Sequence, residues 1–507
     1  MFKPQRKPIG FGENKKNNKA KNYNFMMKLE IANKKRINKE FIEAIKIYKE
    51  IISFKPNLGE AYYNLGLSYK SIDLYDKAIK SFIKVLQIEP KNLNSYLVIG
   101  NIYSDLRDFK TAKYYYKQGL KLNPDEFLLL NGLGNIYHNE NKYEEAIKSF
   151  KSSLKFVPDN AGILNNLGNS LVAISKFDEA INNYCKAISK DPNTKEFHLN
   201  LAFAYFYSGN YTAGWKEYEH RTEHKQLNEI EIWKGQSLKP KEKLLIYSEE
   251  GLGDTIQFLR YAIYLKSKRV DFRLCIQEKL FTLVEQTSLK SNLLDTNKIT
   301  EEKFDFQIGL ISLPRILKVT SNKTIINDQY LSISKNISDK WKLNFSKQNY
   351  PVIGINWQGN PKAETNSGYG RSIALEEFSC LAKIPQIKFL SLQKGFGSEQ
   401  LQNCSFRENF VSFQEEFNPI FDFLECASVI ENCDLVITTD TCTAHLAGSL
   451  GKKTFLILKK LPDWRWGING NETSWYKSIK IFRQIKTDSW SEVLKELKES
   501  IINEFNF

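Results

Sequence analysis

The segment DTCTAHLAGSLG, which begins at Asp440, has the residue types of an anion-binding turn between a strand and a helix. Asp440 ends a predicted strand. Thr441 and Thr443 stand where a helix begins, so their hydroxyls are expected to cap free backbone N–H groups. His445 follows one turn later. Because a helix N-terminus carries partial positive charge, this turn favours a ligand such as a diphosphate, with an ordinary capped helix as the alternative.

Two basic residues and a polar loop follow other predicted strands. Lys394 comes directly after FLSLQ, and Arg371 lies in GRSIALEEF. Gly359 and Asn360 belong to the loop WQGNP, which follows the apolar run VIGIN. Lys394 and Arg371 are therefore candidates for contact with phosphate, and solvated surface charge is the alternative for each.

The segment EEGLGD lies between the apolar run LLIYS and the helical pattern TIQFLRYAIYL. Its glycines, Gly251 and Gly253, allow the backbone to approach a ligand closely. Asp254 begins the helix, where it can cap the helix, face a cleft as a general base, or do both. As a base, it would take the proton from an acceptor hydroxyl that attacks an anomeric carbon.

These groups match the needs of glycosyl transfer, which must hold a nucleotide diphosphate, neutralise the leaving group and deprotonate the acceptor. The chain contains no Asp-x-Asp motif, so neither a metal nor another cofactor is expected. The leaving-group charge would instead fall on Lys394, Arg371 and the helix start at Thr441. His220 and His224 share a predicted helical face without a third ligand, which does not favour a metal there.

The loops that carry these residues alternate with strand and helix patterns throughout the second half of the chain. Such alternation predicts two α/β lobes, each built on a parallel sheet. Ligands of parallel sheets bind at the carboxyl ends of the strands, so EEGLGD, WQGNP, LQKG and TTDTCTAH are the candidate loops.

The first half has an internal period of 34 residues. Prolines recur at this step: Pro56, Pro90, Pro124, Pro158 and Pro192. Small residues keep the same step: Ala32, Gly66, Gly100, Gly134, Gly168 and Ala202. In each unit the small residues let two helices approach, and the proline ends the second helix. The pattern over about residues 25–224 resembles the tetratricopeptide repeat family, which implies a groove that binds a peptide or protein partner.

Composition excludes several other classes of protein. The net charge of +15 includes a basic tail, residues 1–24, but no concentrated basic face, so nucleic-acid binding is not favoured. The 7 cysteines form no CxxC pair, which argues against a disulfide framework or zinc site. No apolar run is long enough to span a membrane, and no signal peptide is recognisable, so a cytoplasmic location is expected.

The second half resembles bacterial tetratricopeptide proteins that carry a glycosyltransferase family 9-like domain, related to heptosyltransferases. Its segments EEGLGDTIQFLRY, INWQGNP, GRSIALEEF, SLQKG, DLVITTDTCTAHLAGSLG and PDWRWGINGNETSWY occur in that family's order, over about residues 230–486. The resemblance implies a GT-B fold, a nucleotide-diphosphate-sugar donor in the C-terminal lobe and an acceptor facing the N-terminal lobe. It makes Asp254 the base candidate, and it makes donor-site candidates of Lys394, Asp440, Thr441 and His445. Cys442 departs from the small residues common at its position.

The predicted architecture is an α-solenoid followed by a two-lobed GT-B (double Rossmann-like) α/β domain. Its predicted parts are a disordered tail at 1–24, repeats at 25–224, a linker at 225–242, an N-terminal lobe at 243–348, a C-terminal lobe at 349–486, and a helix at 487–507 that packs back on the N-terminal lobe. The predicted function is metal-independent sugar transfer, with the repeats recruiting acceptor or partner proteins. The alternative is a non-catalytic interaction scaffold with a degenerate glycosyltransferase-like domain.

Overall fold

The computed structural model describes residues 13–221, 230–320, 323–361, 364, 370–486 and 489–507, with side chains described from residue 25 onward. The chain folds into two compact units. The first unit comprises residues 1–175 and 189–192, and the second comprises residues 176–188 and 193–507. His224, which the sequence placed beside His220, lies outside the described residues.

Helices alternate with short turns from the first described residue to Arg221, as the 34-residue period predicts. They are α1 (Glu13–Ile37), α2 (Phe41–Phe54), α3 (Gly59–Lys70), α4 (Tyr75–Ile88), α5 (Leu93–Asp105), α6 (Phe109–Leu122), α7 (Phe127–Asn139), α8 (Tyr143–Leu154), α9 (Ala161–Ala173), α10 (Phe177–Lys190), α11 (Lys195–Tyr207) and α12 (Tyr211–Tyr218). The basic tail was expected to be disordered throughout, but α1 already begins at Glu13. A helix that packs beyond residue 25 can extend into polar residues because each added residue needs no new nucleation.

Aromatic rings pack against the repeated glycines in the first unit. A Cβ added at Gly66 would lie 2.8 Å from the Phe82 ring, and one added at Gly134 would lie 2.5 Å from the Phe150 ring. At Gly100 the corresponding distance to Tyr116 is 2.3 Å. The small residues of the period are therefore required by helix packing, as the sequence indicated.

Substitution of Gly100 by Ala is expected to lower the free energy of unfolding by about 1–3 kcal/mol, because Tyr116 has no room to retreat. The other side of that ring lies against Gly132, where an added Cβ would be 2.7 Å from Tyr116. The matched control is Gly162→Ala in the first turn of α9, where an added Cβ would contact only Asn160, at 3.6 Å. This control substitution should raise the free energy of unfolding by about 0.5–1 kcal/mol, because alanine has a higher helix propensity than glycine. Equal changes in denaturant midpoint for the two variants would contradict the packing explanation.

The second unit continues from α10 to α12 into an α/β region. Its strands are β1 (Glu231–Ile232), β2 (Leu244–Tyr247), β3 (Phe272–Cys275), β4 (Phe306–Gly309), β5 (Val352–Asn356), β6 (Lys388–Ser391), β7 (Leu435–Thr439), β8 (Thr454–Leu458) and β9 (Ile479–Arg483). Its further helices are α13 (Leu252–Ser267), α14 (Phe281–Val284), α15 (Leu313–Ile316), α16 (Lys335–Ser346), α17 (Gln414–Phe417), α18 (Phe423–Asn432), α19 (Cys442–Ser449) and α20 (Ser491–Phe505).

The strands form two parallel sheets. The first has the order β1-β4-β2-β3, and the second has the order β6-β5-β7-β8-β9. Strands β2, β5, β7 and β8 are buried along their whole length, as expected for parallel sheets covered on both faces. The α/β character with two parallel sheets therefore agrees with the strand–helix alternation of the sequence.

Two predicted boundaries differ from the structure. The linker at 225–242 contributes β1, which pairs with β4, and Trp233 beside it is buried. The C-terminal helix was expected to pack on the N-terminal lobe, but α20 packs on the five-stranded sheet. Its residues Val493 and Leu497 share a core with Ile355 of β5 and Phe482 of β9. The apolar face of α20 predicted that the helix would pack, but a local pattern does not specify against which sheet.

Among the described residues, no helix combines the length and the apolar character that crossing a bilayer would require.

Candidate functional site

The first turns of α13 and α19 meet at Gly253. A Cβ at this position would lie 3.1 Å from Cδ2 of His445 and 3.4 Å from Cα of Cys442. Helix α13 follows β2 of the first sheet, and α19 follows β7 of the second. Gly253 is therefore needed for helix packing, where the sequence suggested close approach to a ligand. This packing brings the EEGLGD loop beside the N-terminus of α19.

Asp254 is held in this junction by Arg465. Nη2 of Arg465 donates a hydrogen bond to Oδ1 of Asp254, and its Nη1 donates one to Oδ1 of Asp463 at 3.0 Å. Nε of the same guanidinium donates to Oε1 of Gln257 at 2.8 Å. The side chain of Arg465 is 10% exposed and that of Asp254 is 28% exposed. Arg465 thus fixes the orientation of Asp254, whose Oδ2 lies on the side of Gly251.

The predicted capping role of Thr441 is wrong. Thr441 is the N-cap residue of α19, but no side-chain hydrogen bond caps this helix. Its hydroxyl donates instead to Oδ1 of Asn356 at 2.9 Å and lies 3.2 Å from the Thr438 hydroxyl. Asn356 ends β5, so this bond directs the Thr441 hydroxyl toward the neighbouring strand and away from the helix N–H groups. Thr443 lies half-buried in the first turn of the helix.

Asp440 is surrounded by charged side chains at the carboxyl end of β7. Burial and the nearby charge of Asp463 raise the pKa of Asp440, whereas Arg371 and Trp466 act in the opposite direction. Beyond the end of β8, burial lowers the pKa of Lys459, and Asp440 and Asp463 partly offset this effect. The strand ends of β7 and β8 therefore bring acidic and basic groups together out of bulk water.

His445 is a buried, neutral group in this arrangement. Burial, followed by the charges of Arg465, Arg260 and Arg371, holds the pKa of its imidazole well below the usual value. Its Nδ1 lies 3.0 Å from the Tyr476 hydroxyl, and its ring stacks on Trp466 with centroids 5.4 Å apart. His445 therefore shapes the junction between α13 and α19 without adding positive charge at neutral pH.

Arg371 reaches the same cluster from the loop after β5. A Cβ at Gly359 would lie 2.6 Å from its Nε and 2.9 Å from Oε1 of Glu364, so Gly359 leaves room for this pair. The backbone N–H of Gly359 donates to the Ser372 hydroxyl, whose own hydrogen goes to Glu364 at 2.6 Å. The backbone carbonyl of Asn360 accepts from the Glu364 N–H at 3.3 Å. The loop thus positions Arg371 close to Asp440.

The side chain of Lys394 does not point toward this cluster. Its Nζ donates to the backbone carbonyls of Phe417 at 2.6 Å and Asn418 at 3.2 Å, and it lies 3.6 Å from the centre of the Phe417 ring. The ammonium therefore satisfies the carbonyl end of α17. The sequence correctly predicted that Lys394 lies at the end of a strand, but it did not predict the direction of the side chain.

Lys394 is expected to contribute a pH dependence to stability, because burial lowers its pKa from 10.5 to about 8. Between these values the unfolded chain binds a proton that the folded chain has released. The free energy of unfolding therefore gains a contribution that rises with pH across this window. Lys394→Met should remove that rise when wild type and variant are compared by denaturant unfolding at pH 7.5, 9 and 10.5. If the free energy of unfolding changed with pH in parallel for the two proteins, this prediction would be wrong.

Two polar groups near Asp440 are buried and have no hydrogen-bond partner among the described residues. They are the Thr439 hydroxyl and Nε of Arg371. Unpaired buried donors are costly, and ligand binding is one way to satisfy them. The cluster therefore has hydrogen-bonding capacity to offer a polar, negatively charged ligand at the carboxyl ends of β5 and β7.

The sequence reasoning missed three residues of this site: Glu250, Lys459 and Arg465. Partial burial and the charge of Asp254 raise the pKa of Glu250, whose side chain nonetheless reaches solvent. Lys459 directly follows β8, so the strand-end rule that selected Lys394 also applies to it. Arg465 carries no such signal, because Asp254 and Gln257, to which it donates, lie far away in sequence.

The loop that carries Asp254 rests on a buried ion pair. Nη2 of Arg221 donates to Oε2 of Glu249 at 2.7 Å and to the Ser312 hydroxyl at 2.8 Å. The side chains of Arg221 and Glu249 are only 2% and 4% exposed. Gly309 has no Cβ, and one would lie within the Glu249 carboxylate. The segment after α12 is thereby fixed to the start of the EEGLGD loop.

Comparisons with known proteins concern the helical half of the chain. Family models described as tetratricopeptide repeat match residues 59–92, 93–126 and 115–148, and a model described as TPR repeat matches residues 134–175 and 168–209. No curated protein matches the chain.

Solved structures with similar regions include the hetero-tetramer of the APC/C subunits Cut9 and Hcn1, with 20% identity, 39% of each chain covered and a TM-score of 0.35. The chain therefore spans 39% of the length of that structure's matched chain. The protein MamA gives 23% identity, with 33% of this chain and 92% of that chain covered, at a TM-score of 0.30. YrrB, described as a TPR protein with an unusual peptide-binding site, gives 17% identity over 34% of this chain and 89% of its own, with a TM-score of 0.30. On the family matches, the N-terminal region of this chain consists of tetratricopeptide repeats.

Proposed function

We propose that this chain is a glycosyltransferase with a GT-B-like α/β region. It would transfer a sugar from a nucleotide-diphosphate donor to an acceptor hydroxyl without a metal ion. The observation that carries the proposal is the junction of α13 and α19. This junction brings Asp254, in the loop after β2 of the four-stranded sheet, beside the N-terminus of α19, which follows β7 of the five-stranded sheet. Glycosyl transfer needs a proton acceptor and a site for the leaving diphosphate near one another.

Asp254 is the acceptor-side residue of the proposal. Arg465 binds Oδ1 and holds the carboxylate in one orientation, so Oδ2 is the oxygen that receives the acceptor proton. Glu250 is a second carboxyl in the same loop, and its raised pKa suits a group that passes that proton on to solvent.

The donor side of the proposal is the first turn of α19. The Thr441 hydroxyl turns toward Asn356 and does not cap the helix. The Ala444 N–H donates to the Thr441 carbonyl, so the N–H groups of Cys442 and Thr443 would bind the diphosphate. Arg371 and Lys459 would add the positive charge that metal-dependent enzymes obtain from a divalent ion. The Thr439 hydroxyl, which has no hydrogen-bond partner among the described residues, would donate to the nucleotide sugar.

The tetratricopeptide repeats supply a second part of the proposed function. Such repeats are typical modules for binding proteins and peptides. We expect them to recruit the acceptor or a partner that carries it, whether that acceptor is protein, lipid or glycan.

Arg371→Met is expected to weaken binding of the nucleotide sugar by about 10–100-fold, the value of one charged hydrogen bond. The experiment screens nucleotide-diphosphate sugars by thermal shift in EDTA, since a ligand at 100 times its Kd stabilises by about 2.7 kcal/mol. Arg407→Met is the matched control, because Arg407 is exposed and its ion pair among the described residues is with the exposed Glu415. If no donor stabilised the wild-type chain, an interaction scaffold would replace the enzyme proposal.

A further inference from the structure

Three ligand-type side chains converge at the end of the last helix pair. His198 lies on α11, Glu217 lies on α12, and His220 lies in the single 3₁₀ turn, Glu219–Arg221, that follows α12. Glu217 and His220 are three residues apart, which places them on one face of the helix and its extension. His198 faces them from the neighbouring helix, so the grouping depends on tertiary structure.

The distances within this group are short. Nδ1 of His198 lies 2.6 Å from Oε2 of Glu217, and the rings of His198 and His220 stack with centroids 3.6 Å apart. One ligand atom from each of the three residues can be chosen so that all lie within 4.8 Å of one another. Ligands of a tetrahedral zinc ion, at bond lengths of about 2.1 Å, stand about 3.4 Å apart. Nδ1 of His198 and Oε2 of Glu217 are closer than this, and the two imidazole rings lie 10° from parallel. Metal binding therefore requires His198 and Glu217 to separate and the His220 ring to rotate out of the stack.

His220 is the residue with room to rotate. It is exposed, whereas the side chains of His198 and Glu217 are 9% and 18% exposed and are held by packing. The grouping thus combines two packed ligands with one exposed ligand.

We propose that His198, Glu217 and His220 bind one divalent transition-metal ion, for which Zn²⁺ is the natural probe. Two imidazoles and one carboxylate are a three-residue zinc ligand set, and they leave a fourth position for water or another ligand. The ion takes the place of the proton between His198 and Glu217. It ties α11 to the turn that ends in Arg221, the residue that pairs with Glu249 beneath the Asp254 loop. This site is separate from the junction of α13 and α19, so sugar transfer and metal binding can succeed or fail independently.

Calorimetric titration of the full chain with Zn²⁺, after treatment with EDTA and in the presence of a reductant, tests the site. The expected result is one Zn²⁺ bound per chain. In His220→Ala the affinity for Zn²⁺ should fall by more than about 100-fold, which is a larger loss than mutation of a residue that only supports a ligand would cause. Glu217→Gln should also weaken binding. Melting of each variant in EDTA shows whether it is folded before metal is added.

Co²⁺ gives a second readout that does not depend on activity. Nitrogen and oxygen ligands in a tetrahedral site should produce visible absorption without near-ultraviolet thiolate bands. The proposal is overturned if wild type binds no Zn²⁺, if His220→Ala binds as tightly as wild type, or if thiolate bands show that cysteine holds the ion.

Discussion

Asp254→Asn is expected to lower the rate of sugar transfer by about 10²–10⁴-fold, the usual contribution of a positioned general base. Asparagine keeps the shape of the side chain and can still accept a hydrogen bond from Arg465, but it cannot take a proton. The loss should therefore appear in kcat, with little change in KM for the donor. Release of nucleoside diphosphate, followed with the donor found by thermal shift, measures both quantities.

The matched control for this change is Glu492→Gln in the first turn of α20, a carboxylate that pairs only with Lys486 on the surface. Its activity should equal that of wild type. Full activity in Asp254→Asn would remove Asp254 as the base and leave Glu250 as the carboxyl to test. A loss of donor binding equal to the loss of rate would instead give Asp254 a role in binding.

Arg221→Met is expected to lower the free energy of unfolding of the second unit by about 3–5 kcal/mol. The substitution leaves the Glu249 carboxylate buried with no cation, and Oε1 of Glu249 already has no hydrogen-bond partner. A buried charge without its partner retains the full cost of desolvation, which explains why this effect exceeds that of any surface pair. Denaturant unfolding followed by tryptophan fluorescence would measure it, since Trp215 and Trp233 lie in the same unit.

Two further variants test this explanation. Arg315→Met removes a more exposed partner of Glu219 and should cost less than about 1 kcal/mol. The double variant Arg221→Met, Glu249→Leu should recover much of the loss, because it removes both buried charges together. A double variant no more stable than Arg221→Met alone would show that the effect comes from lost packing and not from the unpaired carboxylate.

The sequence predicted those features of the fold that depend on local or repeated patterns. The 34-residue spacing of Gly66, Gly100 and Gly134 indicated close helix packing, and their contacts with aromatic rings confirm it. The strand–helix alternation likewise predicted α/β structure with parallel sheets. Each of these inferences uses neighbours within one helix pair or one strand–turn–helix segment.

The features that the sequence did not predict depend on distant partners. The Thr441 hydroxyl forms its hydrogen bond with Asn356, 85 residues earlier in the chain, and not with the nearby helix N–H groups. Arg465 reaches Asp254 across 211 residues, so no local pattern could link them. Lys394 lies at the expected strand end, but the carbonyls of α17 attract its ammonium. Position along the chain places a residue at an edge of the sheet, and only tertiary contacts decide the direction of its side chain.

Metal-independent sugar transfer at the junction of α13 and α19 can be measured as release of nucleoside diphosphate. The full chain is incubated in EDTA with a panel of nucleotide sugars, with and without candidate acceptors. We expect release from at least one donor, and loss of that release in Asp254→Asn. No release from any donor, or equal release by wild type and Asp254→Asn, would contradict this expectation.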